Sequence, residues 1–598
     1  MTAPTIYVLH AAYRSNELTP VQLVDQLLDQ CDKADPAIWI TRLDRTQLQP
    51  YLDGLKGHSP DTRPLYGIPF AIKDNIDLAG VPTTAACPGF SYVPEVSAPV
   101  VQALIDAGAI PLGKANLDQF ATGLVGTRSP YGVPVNSIKT GDIPGGSSSG
   151  SAVAVALGLV TFSLGTDTAG SGRVPASFNN LVGFKPSRGV LSTKGVVPAC
   201  KSLDCVSIFA FTAADAVKVF KLTHGFVPED AWARPYAPSA PGWSPGTPFR
   251  FGVLPQSQRH YFGAPEADVL YEESVSRLSA LGGTPVEVDF EPYLETARLL
   301  YGGPWVAERY AATAAMLESN PDGMLPVTRG IISGGNKPTA VDAFRSIYRL
   351  AELKRASEAL WKQVDIMLTP TAPRCYTLEE VEAEPVQLNA NLGTYTNFMN
   401  LLDLCGCAVP AGFLPNGRSW GVTLMAPAFQ DERILALAGA LHELSGVTLG
   451  ATGSALPPAS TNATSTPGWM SVVVCGAHME GLPLNKDLLS RGAKLKQRAR
   501  TAPVYRMYHL PGAGARPPRP GLVRTPGHGA SIDVEVWEMP EASLGTFFGT
   551  IKPPLGLGWV ELEDGSSACG FVCENAEARP EQDITEHGGW RAWMAAQK

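Results

Sequence analysis

Between Gly145 and Arg173 the chain carries two serine–glycine stretches joined by a run of small apolar residues, and this arrangement leaves it few ways to fold. The first stretch is Gly145-Gly146-Ser147-Ser148-Ser149-Gly150, and the second is Gly165-Thr166-Asp167-Thr168-Ala169-Gly170-Ser171-Gly172-Arg173. Ser171 follows Ser147 by 24 positions. The connecting residues from Ser151 to Leu159 read as a buried helix of small side chains that packs close against a sheet. Serines framed by glycines place hydroxyls beside unencumbered backbone N–H groups. Acyl transfer uses both, a hydroxyl to attack a carbonyl and N–H donors to hold the oxyanion that forms. A third segment lies upstream at Gly67-Ile68-Pro69-Phe70-Ala71-Ile72-Lys73-Asp74-Asn75, where one lysine ends an apolar run.

A lysine at that point can act as a base if it is neutral, and burial among apolar groups lowers its pKa. None of the nine histidines falls in the three segments, so a histidine-based relay has no candidate there. Taken alone, Lys73 reads first as a structural ion pair with an acid such as Asp74, and only beside both serine segments as a base. Consecutive N–H groups at Thr168, Ala169, Gly170 and Ser171 could form an oxyanion hole, and the alternative is a glycine-rich turn with an exposed serine. Arg173 either holds this loop through Asp167 or binds a substrate carboxylate. A phosphate-binding loop is excluded, because no Gly-Lys-Ser/Thr follows either glycine run.

Around these segments helices and strands alternate, which predicts a mixed α/β core with a central sheet. Leu18–Ala34 reads as an amphipathic helix with Thr19 as N-cap and Val21, Leu23, Val24, Leu27 and Leu28 on its apolar period. Residues 65–76 read as a buried strand and turn, Val100–Gly108 as a helix, and Ile110–Lys114 as a strand. Residues 295–318 and 338–363 read as helices, Met367–Thr371 as a buried strand end, and Ile434–Leu444 as a helix. From Gly446 to Gly468 the sequence is almost entirely Gly, Ala, Ser, Thr, Pro and Asn, without charge. The chain therefore divides into a first domain over 1–446, a linker over 447–468 and a small α+β domain over 469–598. In the last of these, Met470–Cys475, Val504–Leu510 and Ile532–Trp537 read as strands.

The formal charge of −9 is spread out and points to neither nucleic acid nor an anionic membrane. Ten cysteines without a repeating spacing read as reduced thiols of a cytoplasmic protein, with no metal site. The N-terminus lacks the pattern of a signal peptide, and no segment offers the ~20 apolar residues of a membrane helix. No cofactor motif is present.

Taken together, the three segments resemble the amidase signature family, in which a Ser–Ser–Lys triad cleaves amides. Matched motif by motif, the resemblance implies Ser171 as nucleophile, Ser147 as bridging serine and Lys73 as base. Only the family register selects Ser147 over Ser148 and Ser149. Ala169 departs from the glycine that many members carry, and the turn is expected to survive because alanine is small. Gly123, in Phe120-Ala121-Thr122-Gly123-Leu124, is implied to offer its carbonyl to the substrate nitrogen.

Three further features resemble the allophanate hydrolases within that family. Tyr301 and Arg309 match the tyrosine and arginine that bind the small urea-carboxylate, a task suited to the planar guanidinium fork. The run from Phe120 to Gly132 matches as well. The segment from Cys475 to Asn485 resembles the family's C-terminal domain, a γ-glutamyl-cyclotransferase-type fold. The resemblance implies hydrolysis of allophanate to ammonia and carbon dioxide, with His478 assisting decarboxylation in the C-terminal domain; a packed turn residue is the other reading of His478. It also implies a homodimer without cofactor. The competing expectation is an amidase of other small amides or an amidotransferase-type subunit, with a C-terminal domain that is only structural.

Overall fold

The computed structural model describes residues 3–239, 243–456, 469–512, 518–574 and 579–597. Two compact units are present: Met1–Tyr236 with Phe249–Ala459, and Ala237–Pro248 with Ser460–Lys598. The first unit is built on a mixed sheet of eleven strands. They are β1 (Trp39–Arg42), β2 (Pro69–Lys73), β3 (Ile110–Ala115), β4 (Phe162–Asp167), β5 (Val182–Lys185), β6 (Cys205–Ala210), β7 (Phe249–Val253), β8 (Gly283–Glu287), β9 (Ile366–Pro370), β10 (Leu404–Phe413) and β11 (Ser419–Pro427). Their spatial order is β1-β3-β2-β4-β6-β5-β10-β11-β9-β7-β8.

β2 runs parallel to both β3 and β4. Every residue of β2, β3 and β4 is buried, as expected of parallel strands covered on both faces. Lys73 at the end of β2 and Asp167 at the end of β4 therefore emerge at the same edge of the sheet. The helix Ser149–Ala156 is also wholly buried, and its small side chains let it approach β4 closely. Ser151 Oγ donates to Leu164 O at 3.0 Å, and Ser163 Oγ donates to Ser151 O at 2.8 Å. These bonds fasten the start of the helix, and the serine loop before it, to the strand that carries the second motif.

The N-terminal amphipathic helix spans Pro20–Lys33, with Thr19 and Gln22 forming a capping box. Its buried face is Pro20, Leu23, Val24, Leu27 and Cys31, whereas Val21 is exposed. The single helix expected over 295–318 is two, Glu291–Gly302 and Val306–Ser319. Pro304 cannot donate the N–H that a continuous helix needs at that point, and Gly303 closes the first helix with its N–H on Leu299 O. The expected helices over 338–363 and 434–444 are Ala340–Leu360 and Asp431–Ser445.

Of the expected linker, residues 457–468 lie outside the described residues. The part before them is packed onto the first unit. Ala451 N–H donates to Ala156 O at 2.9 Å, and Asn180 Nδ2 donates to Thr448 O and Gly450 O at 2.6 and 2.9 Å.

The second unit has a five-stranded sheet of β12 (Trp469–Val474), β13 (Lys494–Arg500), β16 (Asp533–Pro540), β17 (Leu555–Glu561) and β18 (Ser567–Cys573), in the order β13-β16-β12-β18-β17. A hairpin of β14 (Tyr505–Leu510) and β15 (Arg519–Arg524) lies beside it. The sequence of β16 alternates apolar and acidic residues, a pattern that ordinarily marks one wet face. Here both faces are covered: Glu535 and Glu538 are buried. Arg591 Nη2 lies 2.9 Å from Glu535 Oε1, and Lys496 Nζ lies 2.7 Å from Glu538 Oε1. Charge pairing, not solvent, accounts for Glu535 and Glu538, whereas Asp533 at the start of the strand is exposed.

Candidate active site

At the shared edge of β2 and β4 the Lys73 side chain is fully enclosed. Its Nζ donates to Ser147 Oγ at 2.8 Å and to Thr166 Oγ1 at 2.7 Å. Burial pulls its pKa down to about 7, against the pull of Asp118, Asp204 and Asp167, and Arg309 lowers it further. Lys73 makes no ion pair with Asp74. That carboxylate faces Lys114, 3.4 Å away, and accepts from Thr84. The expected ion pair of Lys73 with Asp74 is therefore not formed, and a pKa of about 7 leaves a substantial share of the amine unprotonated at neutral pH, beside a serine hydroxyl.

The serine loop is held from both sides. Ser148 Oγ donates to Thr166 O at 3.2 Å, Asp118 N–H donates to Ser147 O at 3.0 Å, and Gly146 N–H donates to Leu124 O at 2.8 Å. The Gly146–Ser147 peptide bond is cis. Asp118 leaves no room for a side chain at Gly146, since a Cβ there would stand 2.1 Å from Asp118 Oδ2.

The Ser171 loop is organised by Asp167. Its carboxylate accepts the N–H groups of Gly170 and Gly172 at 2.9 and 3.0 Å, and both Nε and Nη2 of Arg173 at 2.9 Å. Burial opposes its charge, but the Arg173 guanidinium and the N–H donors hold it below the usual carboxylate range. Arg173 is thus the loop's clamp, fully buried with its partner. Gly170 has φ +135°, and a Cβ there would meet Thr396 Oγ1 at 2.4 Å. Ala169 needs no such freedom: it is buried in an apolar cluster with Leu203, Trp305 and Tyr301, which explains why alanine suits the position.

Of the four N–H groups expected to form an oxyanion hole, that of Gly170 is engaged by Asp167. Those of Thr168, Ala169 and Ser171 have no acceptor among the described residues. Thr168 is instead anchored through its hydroxyl to Asp204. Ser171 is nearly buried, and its hydroxyl forms no hydrogen bond among the described residues. The Lys73–Ser147 half of the expected relay is closed in this structure, and the Ser147–Ser171 half is open.

Tyr301 and Arg309 meet across the break at Pro304. Arg309 Nη2 lies 3.4 Å from Tyr301 Oη, and its guanidinium carbon lies 5.5 Å from the Tyr301 ring centroid. Arg309 Nη1 donates to Thr122 Oγ1 at 3.0 Å and to Ala121 O at 3.2 Å. These residues immediately precede Gly123, whose carbonyl has no donor among the described residues. Arg309 is 2% exposed and touches no carboxylate among the described residues. A buried cation so placed is poised for an anion. Thr166 carries no local signal for its contact with Lys73, because the two lie far apart along the chain.

The Amidase family model matches residues 22–435. The chain belongs to the amidase family. A second model, the Allophanate hydrolase C-terminal domain, matches residues 470–595. Urea amidolyase of Saccharomyces cerevisiae is 42% identical over 97% of this chain and 32% of its own length. Urea amidolyase of Lachancea kluyveri is 41% identical over 94% of this chain and 31% of its own length. The chain thus spans about a third of the length of these curated relatives. The solved structure of Kluyveromyces lactis allophanate hydrolase superposes with a TM-score of 0.81 at 39% identity, covering 100% of this chain and 99% of that one. The first unit thus has the amidase signature fold, and the second is an additional sheet domain.

Within that second unit His478 lines a cavity of about 210 Å³ together with Cys475, Asp487, Arg519, Thr550 and Phe571. Its ring packs against Phe547 and Phe571, with centroids 5.3 and 5.8 Å away. Burial lowers its pKa, partly offset by Asp487, whose Oδ2 is 4.0 Å from Nε2; Arg491 adds to the lowering. His478 is therefore a cavity residue with a polar neighbour. Arg519 and Asp487 join it from segments whose spacing gives no hint of the meeting.

The Asp167–Arg173 clamp predicts a stability effect. Arg173→Met leaves a buried carboxylate without its cation, and the expected loss is about 3–5 kcal/mol. Urea unfolding of the variant measures it; a loss below about 1 kcal/mol, the value of an exposed pair, would show that the clamp is not what holds the loop.

Proposed function

We propose that this amidase-family enzyme hydrolyses allophanate by a Ser171–Ser147–Lys73 relay in its first domain (1–446), and that the C-terminal domain (469–598) assists the decarboxylation that follows. The observation that carries the substrate is Arg309, a buried guanidinium with no carboxylate partner among the described residues, beside Tyr301 and next to Gly123. Allophanate is a small amide bearing one carboxylate, and Arg309 with Tyr301 binds that group. The Gly123 carbonyl accepts from the amide nitrogen. The urea amidolyase and allophanate hydrolase relatives support the same substrate.

Neutral Lys73 takes the proton of Ser147 Oγ as Ser147 takes that of Ser171. Ser171 Oγ adds to the amide carbonyl, and the free N–H groups of Thr168, Ala169 and Ser171 hold the oxyanion. A donor of this kind lowers a barrier by roughly 3–4 kcal/mol. Substrate binding closes the open Ser147–Ser171 contact, since such bonds commonly tighten only in the reactive complex. Collapse expels ammonia as the relay returns to the leaving nitrogen the proton it took from Ser171, and leaves an acyl-serine, which water converts to N-carboxycarbamate. In the C-terminal cavity His478 supplies a proton to the nitrogen that gains electron density as carbon dioxide departs. Burial makes its imidazolium a stronger acid, suited to giving up that proton. Ten free thiols suit action in the cytoplasm. An amidotransferase-type subunit leaves both the unpaired Arg309 and the C-terminal cavity without a role.

We further propose a homodimer. Phe344, Ile347 and Tyr348 are each at least half exposed and fall on one stripe of the helix Ala340–Leu360, away from the face that carries Asp342 and Arg345. The same stripe on a second copy is its natural cover, as in an isologous two-fold interface.

Three outcomes follow. Ser171→Ala abolishes ammonia release from allophanate, and in the wild type kcat/KM rises with pH through an ionisation near 7 as Lys73 loses its proton; a pH profile flat between about 5.5 and 8.5 would exclude Lys73 as that base. His478→Ala keeps the ammonia-releasing step of the first domain and slows carbon dioxide release by at least about tenfold, read by following both products; equal rates would leave the cavity without a catalytic role. Phe344→Asp with Tyr348→Asp shifts the mass in analytical ultracentrifugation from dimer to monomer; an unchanged mass would place the interface elsewhere.

A further inference from the structure

A cavity of about 710 Å³ opens beside Tyr301, bounded by Arg128, Lys337, Asp342, Arg345 and Asn389. It is far larger than a small carboxylated amide needs, so its shape is that of an approach, not a binding pocket. Its inner wall belongs to the site already described. Tyr301 contacts Arg309, and Asn389 Oδ1 accepts from Leu124 N–H at 2.7 Å. Leu124 O in turn accepts from Gly146 N–H at 2.8 Å, so the cavity wall continues into the serine loop.

The charge of this cavity runs against that of the chain. The protein carries a formal net charge of −9, yet three cations and a single carboxylate line the opening. Asp342, the carboxylate, is bound to Thr339 in the capping box of the helix Ala340–Leu360, accepting from Thr339 N–H and Oγ1 at 2.9 and 2.7 Å. Arg128 is buried, and its guanidinium donates only to the carbonyls of Thr122 and Pro385. Lys337 and Arg345 are exposed and form no ion pair among the described residues. Asp118 lies within electrostatic reach of Arg128 and Asp342 within reach of Arg345, so positive charge is in excess at the opening; such an excess around a concave opening focuses the potential and raises the local concentration of anions.

We propose that this cavity is an electrostatic approach channel for the anionic substrate, with Lys337 and Arg345 as its steering residues and Arg128 as the relay toward Arg309. The inference rests on the reading of the substrate as a small carboxylate. Lys337 and Arg345 touch neither Ser171 nor Lys73, so they act on arrival of the substrate and not on the chemical step.

The test is the ionic-strength dependence of kcat/KM for allophanate, from about 0.01 M to about 1 M salt, across which the screening length falls from about 30 Å to about 3 Å. For the wild type kcat/KM falls as salt rises. The double variant K337Q/R345Q is expected to lose about tenfold in kcat/KM at low salt, with kcat unchanged and the gap closing at high salt. The charge-retaining variant K337R/R345K keeps the wild-type slope, which a purely structural role would not predict. A K337Q/R345Q slope equal to that of the wild type, or a loss that persists at high salt, overturns the channel. Absence of ammonia release from allophanate by the wild-type protein is a distinct result: it overturns the substrate reading, and the channel with it.

Discussion

Everything at the candidate site depends on enclosing one amine. Taking a lysine side chain fully out of water weakens its hold on its proton unless an acid stands beside it, and none touches Lys73. The sheet provides the enclosure. β2 is covered on both faces and flanked by parallel neighbours, so its last side chain is drawn into the interior with only hydroxyl oxygens for partners. Thr166 and Ser147 accept from it without supplying the charge that would hold it protonated. Distant carboxylates raise its proton affinity and burial lowers it, and burial prevails.

The acids that could have spoiled this balance are occupied. Asp167 is engaged by Arg173 and by two loop N–H groups, Asp204 by Thr168 and the N–H groups of Ala199 and Cys200, and Asp118 by the N–H groups of Gly126 and Arg128. Each of these carboxylates shapes a loop that carries part of the site. The same division of labour explains Arg309. Other buried cations of the first unit, Arg173 and Lys114, face carboxylates, whereas Arg309 faces a hydroxyl, a carbonyl and a phenol. Arg309 differs from them in standing beside Tyr301 and against the segment that leads to Gly123.

Much of the fold is legible in the sequence because it rests on local periodicity. The helix begun by Thr19, the buried strand ending at Lys73 and the small-residue helix after Ser149 all follow from spacing and capping chemistry. Where the structure departs from expectation, the causes are equally local. The helical pattern runs on across Pro304, but that residue cannot donate its N–H and the helix breaks there. The acids of β16 suggest a wet face, yet Glu535 and Glu538 are buried against cationic partners and only Asp533 is exposed. The uncharged stretch after Gly446 has the composition of a linker, yet its first part satisfies its backbone groups against the first unit.

The sequence by itself determined the residue types and their order along the chain: two serines framed by glycines, a lysine ending an apolar run, and a tyrosine and arginine on either side of a proline. Those choices restrict the chemistry because only certain side chains attack, accept protons or hold a carboxylate. Tertiary structure alone decided which of them meet. Lys73 reaches Ser147 and not Asp74 because β2 and β4 are adjacent and parallel, a pairing between residues some ninety positions apart that no local pattern encodes. Likewise the Gly170 N–H is engaged by Asp167, Arg309 lies beside Tyr301 through a break in a helix, and three cations gather around one opening. Proximity between distant segments is set by packing the whole sheet, and it is proximity that turns a list of reactive groups into a site.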